Sequence, residues 1–201
     1  WGGFNTFDYI GKDEILGLML DRFNYGNYYK FIWTMSNKIL ALDNNGNTIQ
    51  VDPNNGSKDQ SNAVNCMVQD QEGEVWIGTD KGIKVIYSLD NLYEKDAHGK
   101  SNVTCNNIIY QEDGIAQYLL NFENVNCIMV DGGNRKWIGT ERNGIFVYSP
   151  NGDKQLYHFT AENSPLISNR VVYIAQQPIS GEVYIATDRG VVSFLQDPAQ
   201  H

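Results

Sequence analysis

The chain has 201 residues, of which 41% are hydrophobic and 19% are charged, and this composition excludes a disordered or collagen-like protein. Fifteen Lys and Arg against 24 Asp and Glu give a formal net charge of −9, which disfavours nucleic acid as a partner because a phosphate backbone attracts clustered cations. No apolar stretch approaches the ~20 residues of a membrane-spanning helix, and the three cysteines form no CxxC pair.

An internal repeat organises most of the chain. Three units have an apolar run, a turn rich in Gly, Asn and Asp, a second run that ends in Thr, a charged turn with Gly, and a third apolar run. A weaker copy precedes them, with a Tyr-rich stretch between its first two runs. The second runs end at Thr34, Thr79, Thr140 and Thr187. A unit of about 40–50 residues made of short strands predicts one blade of a β-propeller.

The predicted strands follow the repeat in chain order. They are residues 16–20, 31–34 and 48–51 in the first unit, 64–68, 75–79 and 83–87 in the second, 125–130, 136–140, 145–148 and 155–159 in the third, and 171–175, 183–187 and 191–194 in the fourth. Residues 89–104 form an insertion that we expect to be a polar surface loop, and residues 108–110 and 117–120 form a hairpin.

We therefore predict an all-β fold with about four propeller blades, which form part of a larger propeller. The blades are expected at residues 11–52, 61–120, 121–160 and 166–196. Residues 4–10 either complete the last blade and close a small ring, or belong to a further blade upstream; the unusual first residue, Trp1, favours the second alternative. An open arc exposes apolar blade edges, which predicts self-association.

Aromatic residues recur in the units, and we assign Trp33, Trp76, Trp137 and Tyr184 to one repeat position. A sugar-stacking platform is one interpretation, but a repeated position meets the same neighbour in every blade, which favours packing between blades.

The cysteines are interpreted as structural. Cys66 and Cys127 occupy equivalent positions on blades that we expect not to touch, so burial is favoured over a redox pair. Cys105 lies near the insertion and is expected to be more exposed.

No catalytic or metal-binding motif stands out, and we predict a protein that is not an enzyme and carries no cofactor. Residues 43–47 have the oxygen ligands of a calcium loop but lack its distal Glu, and Asn45-Gly46 is a strong turn signal. A turn is therefore favoured over a metal site.

The charged turns supply the candidate binding site. Lys81, Arg142 and Arg189 each follow an acidic residue in the turn between the second and third strands, and Arg170 lies in the loop entering a first strand. In a propeller these turns and loops lie on one face. The four basic residues could bind a polar, anionic ligand there, or they could be solvated groups that neutralise their acidic neighbours.

Two stretches, residues 75–83 and 137–145, resemble the two-component-regulator propeller repeat. Residues 130–140, 159–169 and 181–194 are similar to the PorZ-type propeller proteins of the type IX secretion system. This resemblance implies an envelope protein of Bacteroidota, located in the periplasm or at the outer-membrane surface. Its implied partners are surface lipopolysaccharide, another glycan or secretion-complex proteins. The same repeat builds the periplasmic ligand-sensing domain of hybrid two-component histidine kinases, which is the alternative function.

Overall fold

The computed structural model describes residues 13–24, 28–57, 63–112 and 115–195. These residues form seventeen β-strands and no helix. In chain order the strands are β1 (Ile15–Leu20), β2 (Lys30–Thr34), β3 (Ile39–Leu42), β4 (Thr48–Val51), β5 (Val64–Gln69), β6 (Val75–Thr79), β7 (Gly82–Ile86), β8 (Asn106–Asn107), β9 (Ile109–Glu112), β10 (Ile115–Tyr118), β11 (Val125–Val130), β12 (Lys136–Thr140), β13 (Ile145–Tyr148), β14 (Gln155–Phe159), β15 (Val171–Gln176), β16 (Val183–Thr187) and β17 (Gly190–Phe194).

The strands form four antiparallel sheets, which we number as blades in chain order. Blade 1 is β1–β4, blade 2 is β5–β8, blade 3 is β11–β14 and blade 4 is β15–β17, while β9 and β10 form a separate hairpin. The first strands stand side by side, because β1 contacts β5, β5 contacts β11 and β11 contacts β15. This arrangement confirms the predicted all-β propeller architecture. The predicted closing segment, residues 4–10, lies outside the described residues.

Blades 2 and 3, which have a described blade on either side, bury side chains on both faces. Their strands are therefore continuous apolar runs and do not alternate between apolar and polar residues. In β6, Ile77 packs into the core shared with blade 1, and Trp76 packs into the core shared with blade 3. Every residue of β6 and of β12 is buried. Burial of apolar surface between neighbouring sheets is therefore the main stabilising contribution to the arc.

Trp137 packs between blades, as predicted for the repeated aromatic. It is buried, and its ring lies 6.1 Å from the ring of Phe159 and 5.6 Å from that of Phe194 on blade 4. Tyr184 occupies the equivalent position on blade 4, where it is 43% exposed and donates its hydroxyl hydrogen to Glu182. The same repeat position is thus buried where a described blade follows it and exposed where none does.

Our assignment of Trp33 to that repeat position is wrong. Trp33 lies one residue before Thr34, whereas Trp76 and Trp137 lie three residues before their threonines. The buried Phe31 takes the aromatic position in blade 1.

Trp33 instead fills the space that a cysteine fills in blades 2 and 3. On the inner strand pairs, Gly17 lies opposite Trp33, whereas Cys66 lies opposite Gly78. A Cβ atom on Gly17 would overlap the Trp33 ring, and one on Gly78 would overlap the Cys66 sulfur. Each pair therefore holds one glycine and one larger residue. In blade 1 the glycine lies on the first strand, and in blade 2 it lies on the second strand.

The expectation that Cys66 and Cys127 lie on blades without contact is also wrong. Their strands, β5 and β11, are neighbours, and a charge on one thiol would disfavour a charge on the other. Burial raises the pKa of the Cys66 thiol, and it raises that of Cys127 to about 12. Both thiols therefore remain protonated at neutral pH and are poor nucleophiles.

The insertion between β7 and β8 is more than a polar surface loop. Leu92 and Cys105 are buried at 1% exposure, so our expectation of an exposed Cys105 is wrong. The Asn55 side chain holds the backbone N–H and carbonyl of Cys105 at 2.9 and 2.8 Å. The insertion also reaches blade 1, because Ser101 donates its backbone N–H to the Gln50 carbonyl at 2.8 Å. It therefore covers the core shared by blades 1 and 2.

Residues 43–47 form a turn held by its own aspartate. Asp43 accepts the backbone N–H groups of Asn45 and Asn47 at 2.8 Å each. Burial opposes the ionisation of Asp43, but these bonds and one from the Asn47 side chain outweigh it and lower its pKa. Within the described ranges, no group of three or more His, Cys, Asp or Glu is placed to hold a metal ion.

A buried ion pair joins blades 2 and 3, and the sequence repeat gave no sign of it. Lys136 is fully buried, and its Nζ lies 2.8 Å from Asp70 Oδ2 and 2.6 Å from the Pro150 carbonyl oxygen. The same ammonium lies 4.6 Å from the centre of the Trp76 ring. Asp70 also accepts two backbone N–H groups of its own turn, so both charges are fully hydrogen-bonded.

We expect Trp137→Ala to lower the free energy of unfolding by about 3–5 kcal/mol, because it leaves a large cavity between blades 3 and 4. Urea unfolding measures the change. Tyr184→Ala is the matched control, since it removes an aromatic at the same repeat position from an exposed site and should cost much less. Equal losses for the two variants would contradict the packing role of Trp137.

Lys136→Ala should destabilise the protein by about 3–5 kcal/mol, because it leaves the buried Asp70 carboxylate without its cation. Lys154→Ala removes an exposed lysine and should leave the urea midpoint nearly unchanged. A Lys136→Met/Asp70→Asn double variant should recover part of the loss. If Lys136→Ala unfolds at the wild-type midpoint, the ion pair does not join the blades.

Self-association through the outer face of blade 4 remains a prediction. Val191 and Leu195 are 66% and 60% exposed there, next to Tyr184. We expect Val191→Lys to shift the species seen by light scattering towards the monomer, because a charge disfavours burial of this face. A wild-type protein that is monomeric at high concentration would contradict this prediction.

Candidate functional site

The threonine that ends each second strand holds the charged turn that follows it. Thr79, Thr140 and Thr187 each donate the hydroxyl hydrogen to the carbonyl of the turn glycine at 3.0 Å. The same oxygens accept a backbone N–H from within the turn at 3.0–3.2 Å. The second strand of blades 2, 3 and 4 therefore ends in a fixed turn that carries one exposed basic residue. Lys81 and Arg189 lie one residue before the turn glycine, and Arg142 lies two residues before it.

The turn glycine then joins its blade to the next one. Gly82 donates its N–H to the Glu123 carbonyl, and Gly144 donates to the Asn169 carbonyl, both at 2.9 Å. Gly144 has a φ of +72°, and a Cβ there would overlap the Phe159 carbonyl oxygen. Only glycine fits so closely against the end of β14 in its own blade. In this position its N–H bonds to the loop that enters the following blade, which places the charged turn next to that loop.

This contact forms a cavity of about 330 Å³ between blades 3 and 4. Three of the four predicted residues line it: Arg142 from the β12–β13 turn, Arg170 from the loop before β15, and Arg189 from the β16–β17 turn. Lys81 lies in the equivalent turn of blade 2 and does not line this cavity.

Glu141 neutralises one of the three arginines. Arg170 Nε lies 2.9 Å from Glu141 Oε1, and Asn126 Nδ2 donates to Glu141 Oε2 at 2.9 Å. The bond from Asn126 and the guanidinium of Arg170 together lower the pKa of Glu141 despite some opposing desolvation. Glu141 therefore stays ionised and holds Arg170 in place.

The other two arginines keep their charge available. Within the part of the chain that the structure describes, no carboxylate forms an ion pair with Arg142 or Arg189. Both residues are exposed. A planar guanidinium can bind a phosphate or carboxylate through two parallel hydrogen bonds, so this pair suits an anionic group.

The lining of the cavity also includes Glu162 and Asn169, which belong, like Arg170, to the loop between β14 and β15. Asn169 donates its Nδ2 group to both Glu162 oxygens, at 3.2 and 3.1 Å, and its Oδ1 accepts the Ala161 N–H at 2.7 Å. The sequence analysis missed Glu162 because this loop lies outside the repeated unit. The one feature of the sequence that could have indicated Glu162 is its position in the long loop between β14 and β15, which leads into the first strand of blade 4.

A second cavity of about 200 Å³ lies at the equivalent junction between blades 2 and 3. It shares Glu141 and Arg142 with the first cavity and adds Asp80, Glu123 and the 87%-exposed Phe122. Its lining has three carboxylates and one arginine, which makes it unsuitable for an anion, whereas the first cavity has two carboxylates and three arginines. A third cavity, of about 290 Å³, lies among the four first strands, where Arg22 is bonded to the Gln69 carbonyl and side chain. The blade 3–4 cavity is therefore the candidate site.

The comparisons with known proteins agree with the repeat and the fold. The family described as two component regulator propeller matches residues 59–81. No curated protein matches the chain. None of the described residues forms a helix long and apolar enough to span a membrane.

Solved propeller structures superpose on nearly the whole chain. PorZ, described as an essential bacterial surface component of the type-IX secretion system of Porphyromonas gingivalis, has a TM-score of 0.72 at 23% identity over 90% of this chain. Two further structures are described as extracellular domains of hybrid two component systems of B. thetaiotaomicron. The first has a TM-score of 0.63 at 24% identity over 96% of this chain, and the second has a TM-score of 0.60 at 18% identity over 89% of this chain.

The chain spans 26%, 22% and 21% of the lengths of these three structures. At these identities the likeness concerns the fold. The chain therefore carries the two-component regulator propeller repeat, and its blades have the fold of the propeller domains in PorZ and in hybrid two-component systems.

Proposed function

We propose that the chain is a non-catalytic binding module of an exported bacterial envelope protein, and that the cavity between blades 3 and 4 binds an anionic group of a surface glycan such as lipopolysaccharide. One observation carries this proposal: Arg142 and Arg189 form no ion pair with a described carboxylate and line one cavity beside Arg170.

The charge of the whole chain makes the local cluster necessary. At a net charge of −9 the protein repels an anionic glycan at long range, so binding depends on a few well-placed cations. Exposed ionic contacts contribute little individually. We expect an affinity on the order of mM for a single site, equivalent to about −4 kcal/mol.

The envelope location rests on the structural relatives. PorZ is described as a surface component, and the two-component proteins contribute extracellular domains. These descriptions support an exported chain, in the periplasm or at the outer-membrane surface. We propose the secretion attachment complex as its setting, with glycan or secretion-complex proteins as partners.

A periplasmic ligand-sensing domain of a hybrid two-component histidine kinase is the second candidate. The likeness over 96% of the chain to one such extracellular domain favours it. The reading frame downstream of His201 separates the candidates. A sandwich domain would support the secretion component, whereas a membrane helix followed by a kinase would support the sensor.

Titration of purified anionic lipopolysaccharide tests the proposed site. We expect an Arg142→Ala/Arg189→Ala double variant to bind roughly two- to thirtyfold more weakly than wild type, because each exposed ionic contact contributes about 0.2–1 kcal/mol. Binding by wild type should also weaken as salt rises from low to moderate concentration.

Lys81→Ala is the matched control for this experiment. It removes an exposed cation from the same repeat position but outside the cavity, so its binding should equal that of wild type. Equal binding by wild type and the double variant would remove this cavity from consideration and favour protein–protein scaffolding.

A further inference from the structure

We infer that the ligand of the cavity between blades 3 and 4 is an acidic sugar, whose anionic group contacts Arg142 and Arg189 while its ring hydroxyl groups donate hydrogen bonds to Glu162. This inference rests on the proposed function and deepens it, because it assigns to Glu162 the binding of the hydroxyl groups next to the anionic group.

The inference begins with the charge on Glu162. Among the described residues, no Lys, Arg or His forms an ion pair with this carboxylate. Its partner is the neutral amide of Asn169, and hydrogen bonds from Asn169 and Thr160 lower the pKa of Glu162. The cavity therefore holds an ionised carboxylate as well as the two guanidiniums without an ion pair.

This mixture of charges disfavours a simple anion. Phosphate or sulfate bound by Arg142 and Arg189 would be repelled by Glu162 across the same cavity. A ligand that carries hydroxyl groups next to its anionic group can place those hydroxyls against Glu162. A hydroxyl that donates to a carboxylate forms a charge-assisted hydrogen bond, so this contact is attractive.

Glu162 is suited to accept such donors. The two oxygens of a carboxylate offer about four acceptor sites, and Asn169 supplies one donor group, shared between them. The side-chain oxygen Oδ1 of Asn169 accepts the Ala161 N–H, which sets the orientation of the side-chain amide and thus of the Glu162 carboxylate. The acceptor is therefore held in place before a ligand binds.

The remaining lining fits a sugar ring better than a lipid chain. Ile167 and Ala161 are its apolar members, and Ile167 is 44% exposed. One such side chain can cover the C–H face of a ring but cannot enclose an acyl chain. The volume of about 330 Å³ lies at the lower end of the range for small-molecule sites, about 300–1,000 Å³, which suits one or two rings.

The test compares a hydroxylated anion with a simple one. Digalacturonic acid and inorganic pyrophosphate are titrated by calorimetry, at low salt, into wild type and Glu162→Gln. We expect Glu162→Gln to weaken digalacturonic acid binding about tenfold, because it removes charge-assisted bonds from the hydroxyl groups. The same variant should strengthen pyrophosphate binding, because it removes a repulsive charge.

Glu94→Gln is the matched control. It removes an exposed carboxylate of the insertion, which does not line the cavity, and it should change neither affinity. If Glu162→Gln strengthens the binding of both ligands, the cavity is a simple anion site and the inference is wrong, although the proposed function stands.

Digalactose, the uncharged counterpart of digalacturonic acid, tests the need for the anionic group. Equal binding of digalactose and digalacturonic acid to wild type would also overturn the inference. If Arg142→Ala/Arg189→Ala binds both anions as wild type does, the proposed function fails as well.

Discussion

The bond between a turn glycine and the next blade is the constraint on which the candidate site depends. At Gly144 the backbone has a positive φ, and its N–H reaches the Asn169 carbonyl with no room for a side chain. Because this bond fixes the turn against the following loop, Arg142 meets Arg170 and Glu162 in one cavity. A Cβ at this position would overlap the Phe159 carbonyl oxygen at the end of β14, so the turn would have to leave the position from which it bonds to the loop.

Blades 2 and 3 have an equivalent bond, from the Gly82 N–H to the Glu123 carbonyl. They are also joined by the Lys136–Asp70 ion pair and by apolar packing. The three kinds of contact place different demands on the sequence. Apolar packing tolerates many side chains of suitable volume, whereas the ion pair needs both partners. The junction of blades 2 and 3 is therefore the least tolerant of single changes in charge.

Local patterns predicted most of the fold, because strand alternation and turn signals act within a few residues. The threonines located the second strands, since each hydroxyl caps the turn that follows. The assignment of Trp33 failed because it followed residue type instead of counting back from Thr34. The contact between β5 and β11 follows from the predicted fold, because consecutive blades of a propeller are neighbours, and our expectation about Cys66 and Cys127 overlooked it. The presence of Glu162 in the site could not be predicted, because it depends on a loop outside the repeat.

The inverted pair in blade 1 limits how the repeat units can be exchanged. The Gly17–Trp33 and Cys66–Gly78 pairs occupy the same place on their sheets, but the larger partner stands on different strands. A chimaera that joined β5 of blade 2 to β2 of blade 1 would force a cysteine against a tryptophan, and the reverse combination would set two glycines face to face around a void. Recombination between these units would therefore have to carry both strands of the hairpin together.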